Sequence, residues 1–280
     1  MTDLAARASR AVLNQRNVSP LSVDAILVIT QTPDRSIPHT SALLQDKLGL
    51  REDVIAFDLG LGCSGYVAGL DVATSLAEAH SLRHVLLVTA EAYSRILRDD
   101  DRTTRPLFGD AATASLLSYR YDFEVGRVVH RTVGRLSQHL VHHGSGSLRE
   151  SESGLSMNGR GILNFVLEQG PSVVENLYSQ NDLQPRSSDI FFFHQANEFV
   201  VRQLQTRLNL DPSQVVVDLA DVGNTSSSSI PLALARFLAG AAPEQQTRLV
   251  LVGFGVGLAL AATILIPKSQ DRWGASERSR

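Results

Sequence analysis

The sequence is short of several things, and each shortage rules something out. Cys63 is the only cysteine in 280 residues, so no disulfide can form within the chain. A reducing setting such as the cytoplasm is the expectation. Positive charge is not in surplus: 26 Lys and Arg stand against 29 Asp and Glu, for a net charge of −3. That balance argues against nucleic acid as a partner. No uncharged apolar run reaches the ~20 residues of a membrane-spanning helix, so no membrane role is expected. Met1 to Arg7 lack the basic-then-apolar layout of a secretion signal. What is plentiful is aliphatic: 43% of the chain is hydrophobic, enough for a large core in one domain or two fused halves.

Along the chain, residues 3–17 read as an amphipathic helix whose apolar face is Leu4, Ala8, Ala11 and Val12. Asp24 to Thr30 is almost wholly apolar, as in a strand covered on both faces. A helix over 40–48 ends at Gly49, and Ile55–Leu59 reads as a second strand. The turn Gly62-Cys63-Ser64-Gly65 leads into a helix to about residue 79. Strands follow at 84–89 and 113–117.

The second half repeats this plan. Asp189-Ile-Phe-Phe-Phe-His194 matches Asp24 to Ile29. Val215 to Leu219, followed by Gly223-Asn224-Thr225, matches Ile55 to Leu59 followed by Gly62-Cys63-Ser64. Arg248 to Val252 matches Arg83 to Val88. Three matched strands in one order, alternating with helices, point to α/β layers in two similar halves. The division expected is 1–123 for the first half, 124–156 for a connecting loop, 157–268 for the second half and 269–280 for a polar tail. No metal is expected at His139, His142 and His143, because neither cysteine nor ordered carboxylate spacing accompanies them.

The repeat makes Cys63 and Asn224 topological equivalents, each at the turn after the same strand. His194 stands at the carboxyl end of another, and sites in open α/β sheets gather at such ends. A cysteine thiolate is a nucleophile, and an imidazole and a helix N-terminus make it available near neutral pH. Taken singly, each residue has a plain structural reading: a small core cysteine, a strand-end histidine, a capping asparagine. It is their conjunction that points to acyl chemistry.

Gly62-Cys63-Ser64-Gly65-Tyr66, His194-Gln195-Ala196-Asn197 and Gly223-Asn224-Thr225-Ser226 resemble the three active-site signatures of the ketoacyl-acyl-carrier-protein synthase III family, within the thiolase superfamily. Phe108 to Ala112 resembles the family's glycine-rich segment and Gly253 to Gly257 its C-terminal loop. The resemblance implies a thiolase-like five-layered αβαβα fold of two duplicated halves and a homodimer. It implies that Cys63 is acylated by acyl-coenzyme A, which is a substrate, with no cofactor. His194 and Asn224 then promote decarboxylation of malonyl-acyl-carrier-protein or malonyl-coenzyme A. The backbone amides of Cys63 and Val256 form the oxyanion hole, where a valine replaces the usual glycine but keeps its N–H. Ile37, Leu107 and Phe108 match acyl-pocket positions. Arg102, Asn197, Arg202 and Arg207 match or adjoin positions for coenzyme A or the carrier.

Two departures qualify the likeness. The family's first strand region has no match in this sequence, nor do the tryptophan and arginine that clamp the adenine of coenzyme A: either the start was assigned late, or part of the sheet was discarded and a partner subunit is the expected substitute. Phe199 stands where an arginine usually meets the acidic carrier. The leading expectation is a decarboxylating Claisen condensation in fatty-acid or secondary-metabolite synthesis. The alternatives are acyl transfer without condensation, and a subunit of a heterodimeric condensing enzyme.

Overall fold

The computed structural model describes residues 1–118, 122–144, 153–240 and 246–268. The polar tail expected over 269–280 lies outside them. The first half runs α1 (Thr2–Gln15), β1 (Ala25–Ile29), α2 (Thr40–Leu48), β2 (Ile55–Leu59), α3 (Gly65–His80), β3 (His84–Glu91) and β4 (Ala111–Ser118). The second half repeats the order with α4 (Gly159–Gln180), β9 (Ile190–Phe193), α5 (Glu198–Arg207), α6 (Ser229–Gly240), β10 (Leu249–Gly255) and β11 (Ala259–Pro267). Between them lie β5 (Phe123–Val125), β6 (Val129–Thr132), β7 (Leu140–His143) and β8 (Gly154–Met157). The stretch expected to be connecting loop therefore holds short strands: β5 and β6 pair with β11, and β7 with β8. Each is only three or four residues long, too short for a two-residue periodicity to announce it.

β1 is Ala-Ile-Leu-Val-Ile and buried throughout, because it runs parallel between β2 and β3 and is covered on both faces. The first sheet has the order β2-β1-β3-β4, the last strand antiparallel; the second has the order β5-β11-β10-β9. Asp24 fixes the base of the first sheet by accepting from the amides of Arg83 and His84. Its counterpart Asp189 instead takes the guanidinium of buried Arg248 on both carboxylate oxygens, at 2.7 Å each.

Three apolar cores show how the layers stack. One joins α1 and α2 to the outer face of the first sheet, with Leu13, Ile26, Val28, Leu44 and Leu86. The central core packs α3 and α6 between both sheets, through Leu27, Leu87, Val67, Ile230, Phe192 and Leu251. The third joins α4 and α5 to the second sheet, through Val173, Val201, Leu204, Phe193 and Val252. This is the αβαβα arrangement expected. α3 lies close on β1 because Gly65 and Gly69 lack side chains: a Cβ on either would come within 2.6 Å of Ile29.

Two further sequence expectations need correction. α1 forms, but it buries Ala5, Ala6, Ser9 and Leu13, whereas Ala11 is exposed. Small residues let the helix sit close to β4, and Ser9 loses no hydrogen bond because its hydroxyl donates to Ala5 O at 2.8 Å. Val215–Leu219 does not form a full strand. Only Val215 bridges to Phe191, and beyond it the side-chain amide of Gln195 takes over, donating to Val216 O and accepting from Asp218 N.

Candidate active site

Cys63 is buried at the turn that opens α3, two residues ahead of the first helical position. A helix N-terminus favours negative charge, which suits a thiolate. The opposite wall comes from the end of β10. Gly253 and Gly255 are glycine for a steric reason: a Cβ on Gly253 would lie 2.8 Å from Ser64 Cα, and one on Gly255 would lie 3.0 Å from Cys63 Sγ. Val256 follows directly, and its side chain lies beside Gly62, where an added Cβ would be 3.2 Å from Val256 Cγ2.

The second half supplies a buried serine turn. Ser226 Oγ lies 3.6 Å from Cys63 Sγ, and Ser226 holds a left-handed φ of 52°, unusual for a residue with a side chain. Asn224 Oδ1 accepts from Ser226 N at 2.9 Å, which ties the asparagine to that turn. The main chain of Asn224 is clasped from the other half: its N–H donates to Leu107 O at 2.8 Å, and its carbonyl accepts from Gly109 N at 3.0 Å. Gly109 and Gly223 make this possible. A Cβ on Gly109 would meet Val222 O at 2.0 Å, and one on Gly223 would meet Leu107 O at 2.8 Å. The two glycine motifs read from the sequence are the two faces of one contact.

His194 ends the β9 segment, buried edge-on against the Phe254 ring at 5.2 Å. Its Nδ1 lies 2.7 Å from Ser229 Oγ, and that oxygen also accepts from Gln195 N. If the hydroxyl donates to Nδ1, the hydrogen of the neutral imidazole stands on Nε2. Burial pushes the histidine down to about 3, so it is uncharged across the physiological range. Burial also pushes the Cys63 thiol up to about 12, helped by the nearby Glu91 carboxyl and opposed by the Ser226 hydroxyl. Near neutral pH both groups therefore rest uncharged.

Beside Val256 is a cavity of about 120 Å³, lined by Gln31, Tyr93, Ile96, Leu140, His142, Leu155 and Val256. Tyr93 donates its hydroxyl to Gln31 Oε1 at 2.9 Å and stacks on Phe108 at 4.7 Å. A volume of that order leaves room for only a few heavy atoms.

Comparison with known proteins gives the family. The sequence profile described as 3-oxoacyl-[acyl-carrier-protein (ACP)] synthase III matches residues 57–134, and its C-terminal counterpart matches 178–266. The beta-ketoacyl-[acyl-carrier-protein] synthase III of Gloeobacter violaceus is 34% identical over 290 aligned positions, covering 98% of this chain and 84% of the relative. The chain belongs to the synthase III family. Among solved structures of this family, that from Thermus thermophilus superposes with a TM-score of 0.87 at 33% identity, covering 95% of this chain and 84% of that one. The priming β-ketosynthase of the R1128 polyketide pathway gives 0.84 at 27% identity, covering 95% and 82%.

Set on this synthase III frame, the secondary positions separate. Cys63, His194, Asn224 and Val256 gather around the serine turn and the end of β10. The acyl-pocket positions do not line the cavity: Ile37 is 84% exposed, Leu107 serves through its carbonyl, and Phe108 backs Tyr93. Arg102 is exposed. Asn197 caps α5 by accepting from Val200 N, and Arg202 is engaged by Gln205 and Glu198. Arg207 is exposed near the end of α5, and Phe199 at its start is 60% exposed. The sequence reading assigned no role to Tyr93, Gln31, Glu91, Ser226 or Ser229. The run of four serines was the available signal, since four consecutive buried hydroxyls must each find a partner.

Proposed function

We propose that the chain is a decarboxylating condensing enzyme in which Cys63 carries an acyl group. The observation that supports this most is the enclosure of the Cys63 thiol at the start of α3 by the turn that also holds Asn224 and His194. In the first step the Cys63 sulfur attacks the carbonyl of acyl-coenzyme A, and the proton of the thiol passes to the departing coenzyme A sulfur. The oxyanion receives hydrogen bonds from the amides of Cys63 and Val256, and the coenzyme A thiol leaves. Each such donor is typically worth about 3 kcal/mol of barrier. A malonyl thioester then loses carbon dioxide. The enolate oxygen that forms is stabilised by the Nε2–H of His194 and by the Asn224 amide, and its carbon attacks the Cys63 thioester. The product is a β-ketoacyl thioester, and Cys63 is free again. A neutral His194 fits this role, because the step needs a hydrogen-bond donor rather than a base.

Acyl transfer without condensation remains the second reading. Asn224, held at both backbone groups by Leu107 and Gly109, favours condensation, since simple transfer creates no enolate. A homodimer is proposed on the family likeness together with the exposed Ile37, and the cytoplasm as its setting on the single cysteine. No helix among the described residues is long and apolar enough to cross a membrane.

The test is to incubate the protein with a panel of acyl-coenzyme A thioesters and read intact mass. An adduct that Cys63→Ala abolishes is expected; absence of any adduct would sink the acyl-carrier assignment. Adding malonyl-acyl-carrier-protein should then release carbon dioxide, and transfer without release would favour the second reading.

A further inference from the structure

Glu91 ends β3 with 0% exposure and has no part in the steps above. Its carboxyl is the point at which three chain segments meet. Oε2 accepts from Gln31 N at 3.2 Å and from Thr32 Oγ1 at 3.0 Å. Thr32 Oγ1 itself accepts from Ala92 N at 2.8 Å, so its own hydrogen is directed to Glu91. Oε1 takes Ser227 Oγ, at 2.9 Å, from the second half.

Both outer segments bear on Cys63. Gln31 lies against Gly62, the residue before the cysteine: a Cβ there would come 2.2 Å from Gln31 Oε1. Ser227 adjoins Ser226, whose hydroxyl is the polar neighbour of Sγ. One carboxyl thus fastens the chain on the approach to the thiol and the turn that faces it. A buried carboxyl is costly and an apolar residue would fit a core more cheaply. The hydrogen bonds it makes, however, run to the two places that set where Sγ stands.

We propose that Glu91 is a positioning residue that holds the Cys63 thiol between Gln31 and Ser226 and so sets how fast Cys63 is acylated. The proposal rests on Cys63 as the acyl carrier. The titratable groups facing Glu91 are Cys63 and Tyr93, both of which feel its charge. Burial raises Glu91 to about 7, so its charge beside the thiol changes near neutrality.

Glu91→Ala, Glu91→Gln and Ser227→Ala in the full chain test this. A misplacement of ~1 Å can cost about a hundredfold in rate, so Glu91→Ala is expected to slow acyl loading at saturating thioester by tenfold or more. The half-saturating concentration should stay within about twofold, because the thioester's own contacts are untouched. Glu91→Gln keeps an accepting oxygen for Gln31 and Thr32 and offers Ser227 an N–H, so it should restore most of the rate. It also removes the charge, so the pH profile of Cys63 alkylation by iodoacetamide should move to lower pH. Ser227→Ala removes the Oε1 contact from the other side and should slow loading in a variant that keeps the buried carboxyl. Loading at the wild-type rate in a folded Glu91→Ala, or in Ser227→Ala should Glu91→Ala not fold, overturns the proposal. So does a Glu91→Gln as slow as Glu91→Ala. If the wild-type protein forms no adduct at all, the acyl-carrier reading has failed instead, and the alkylation profiles still report on Glu91.

Discussion

Tyr93 shows how one side chain can set what the site accepts. Its hydroxyl is held by Gln31 and its ring by Phe108, so it is a fixed wall of the cavity rather than a movable lid. Tyr93→Ala should shift loading toward longer acyl groups, with each added methylene worth about 1–3 kcal/mol of discrimination. Competition between short and long acyl-coenzyme A thioesters, scored by the mass of the Cys63 adduct, measures this; an unchanged preference would remove Tyr93 from the wall. At this scale the sequence was legible where chemistry is bound to a motif. Cys63, His194 and Asn224 each sit in a run whose glycines and polar neighbours are themselves distinctive. Glu91 ends an ordinary strand and Tyr93 follows two residues later, and nothing in Thr89-Ala90-Glu91-Ala92-Tyr93 says that both side chains turn inward to one site. That depends on the loop after β1, which brings Gln31 and Thr32 across.

Among the elements, the end of β10 is the most constrained. Its glycines lie against Cys63 so closely that Gly255→Ala would force the added carbon within 2.6 Å of Cys63 Cβ. The expected result is a loss of acyl loading of at least about tenfold, accompanied by an overpacking cost of about 1–3 kcal/mol. Loading kinetics together with denaturant unfolding separate the two effects. The base of β9 makes a contrasting prediction. Asp189 and Arg248 form a bidentate pair with side chains 0% and 3% exposed, and Tyr178 also donates to Asp189 at 2.7 Å. Asp189→Ala leaves a buried guanidinium without its carboxylate and should cost about 3–5 kcal/mol of stability, measured by urea unfolding. The helices and central strands were readable because each carries a long apolar pattern of one period. β5 to β8 were not, since their pairing is dictated by partners such as β11 and not by their own short sequences.

Across the whole molecule, the duplication places the reacting groups on both halves, and this has a pH consequence. His194 is held neutral down to about 3 by burial, against an ordinary value of 6.5. Between those values the unfolded chain binds a proton that the folded chain refuses. The stabilising contribution is therefore complete above 6.5 and is lost as pH falls toward 3. His194→Asn should lose less thermal stability than the wild-type protein on going from neutral to acidic pH; parallel melting curves would show otherwise. The repeat itself was visible in the sequence because strand order, turn position and apolar runs recur together. What it did not show is how the halves engage. Leu107 and Gly109 hold the backbone of Asn224, and Ser227 reaches back to Glu91. A protease cut between the halves would therefore leave two pieces that are each chemically mute. Activity would return only on mixing, at a rate that depends on how quickly the severed partners find one another.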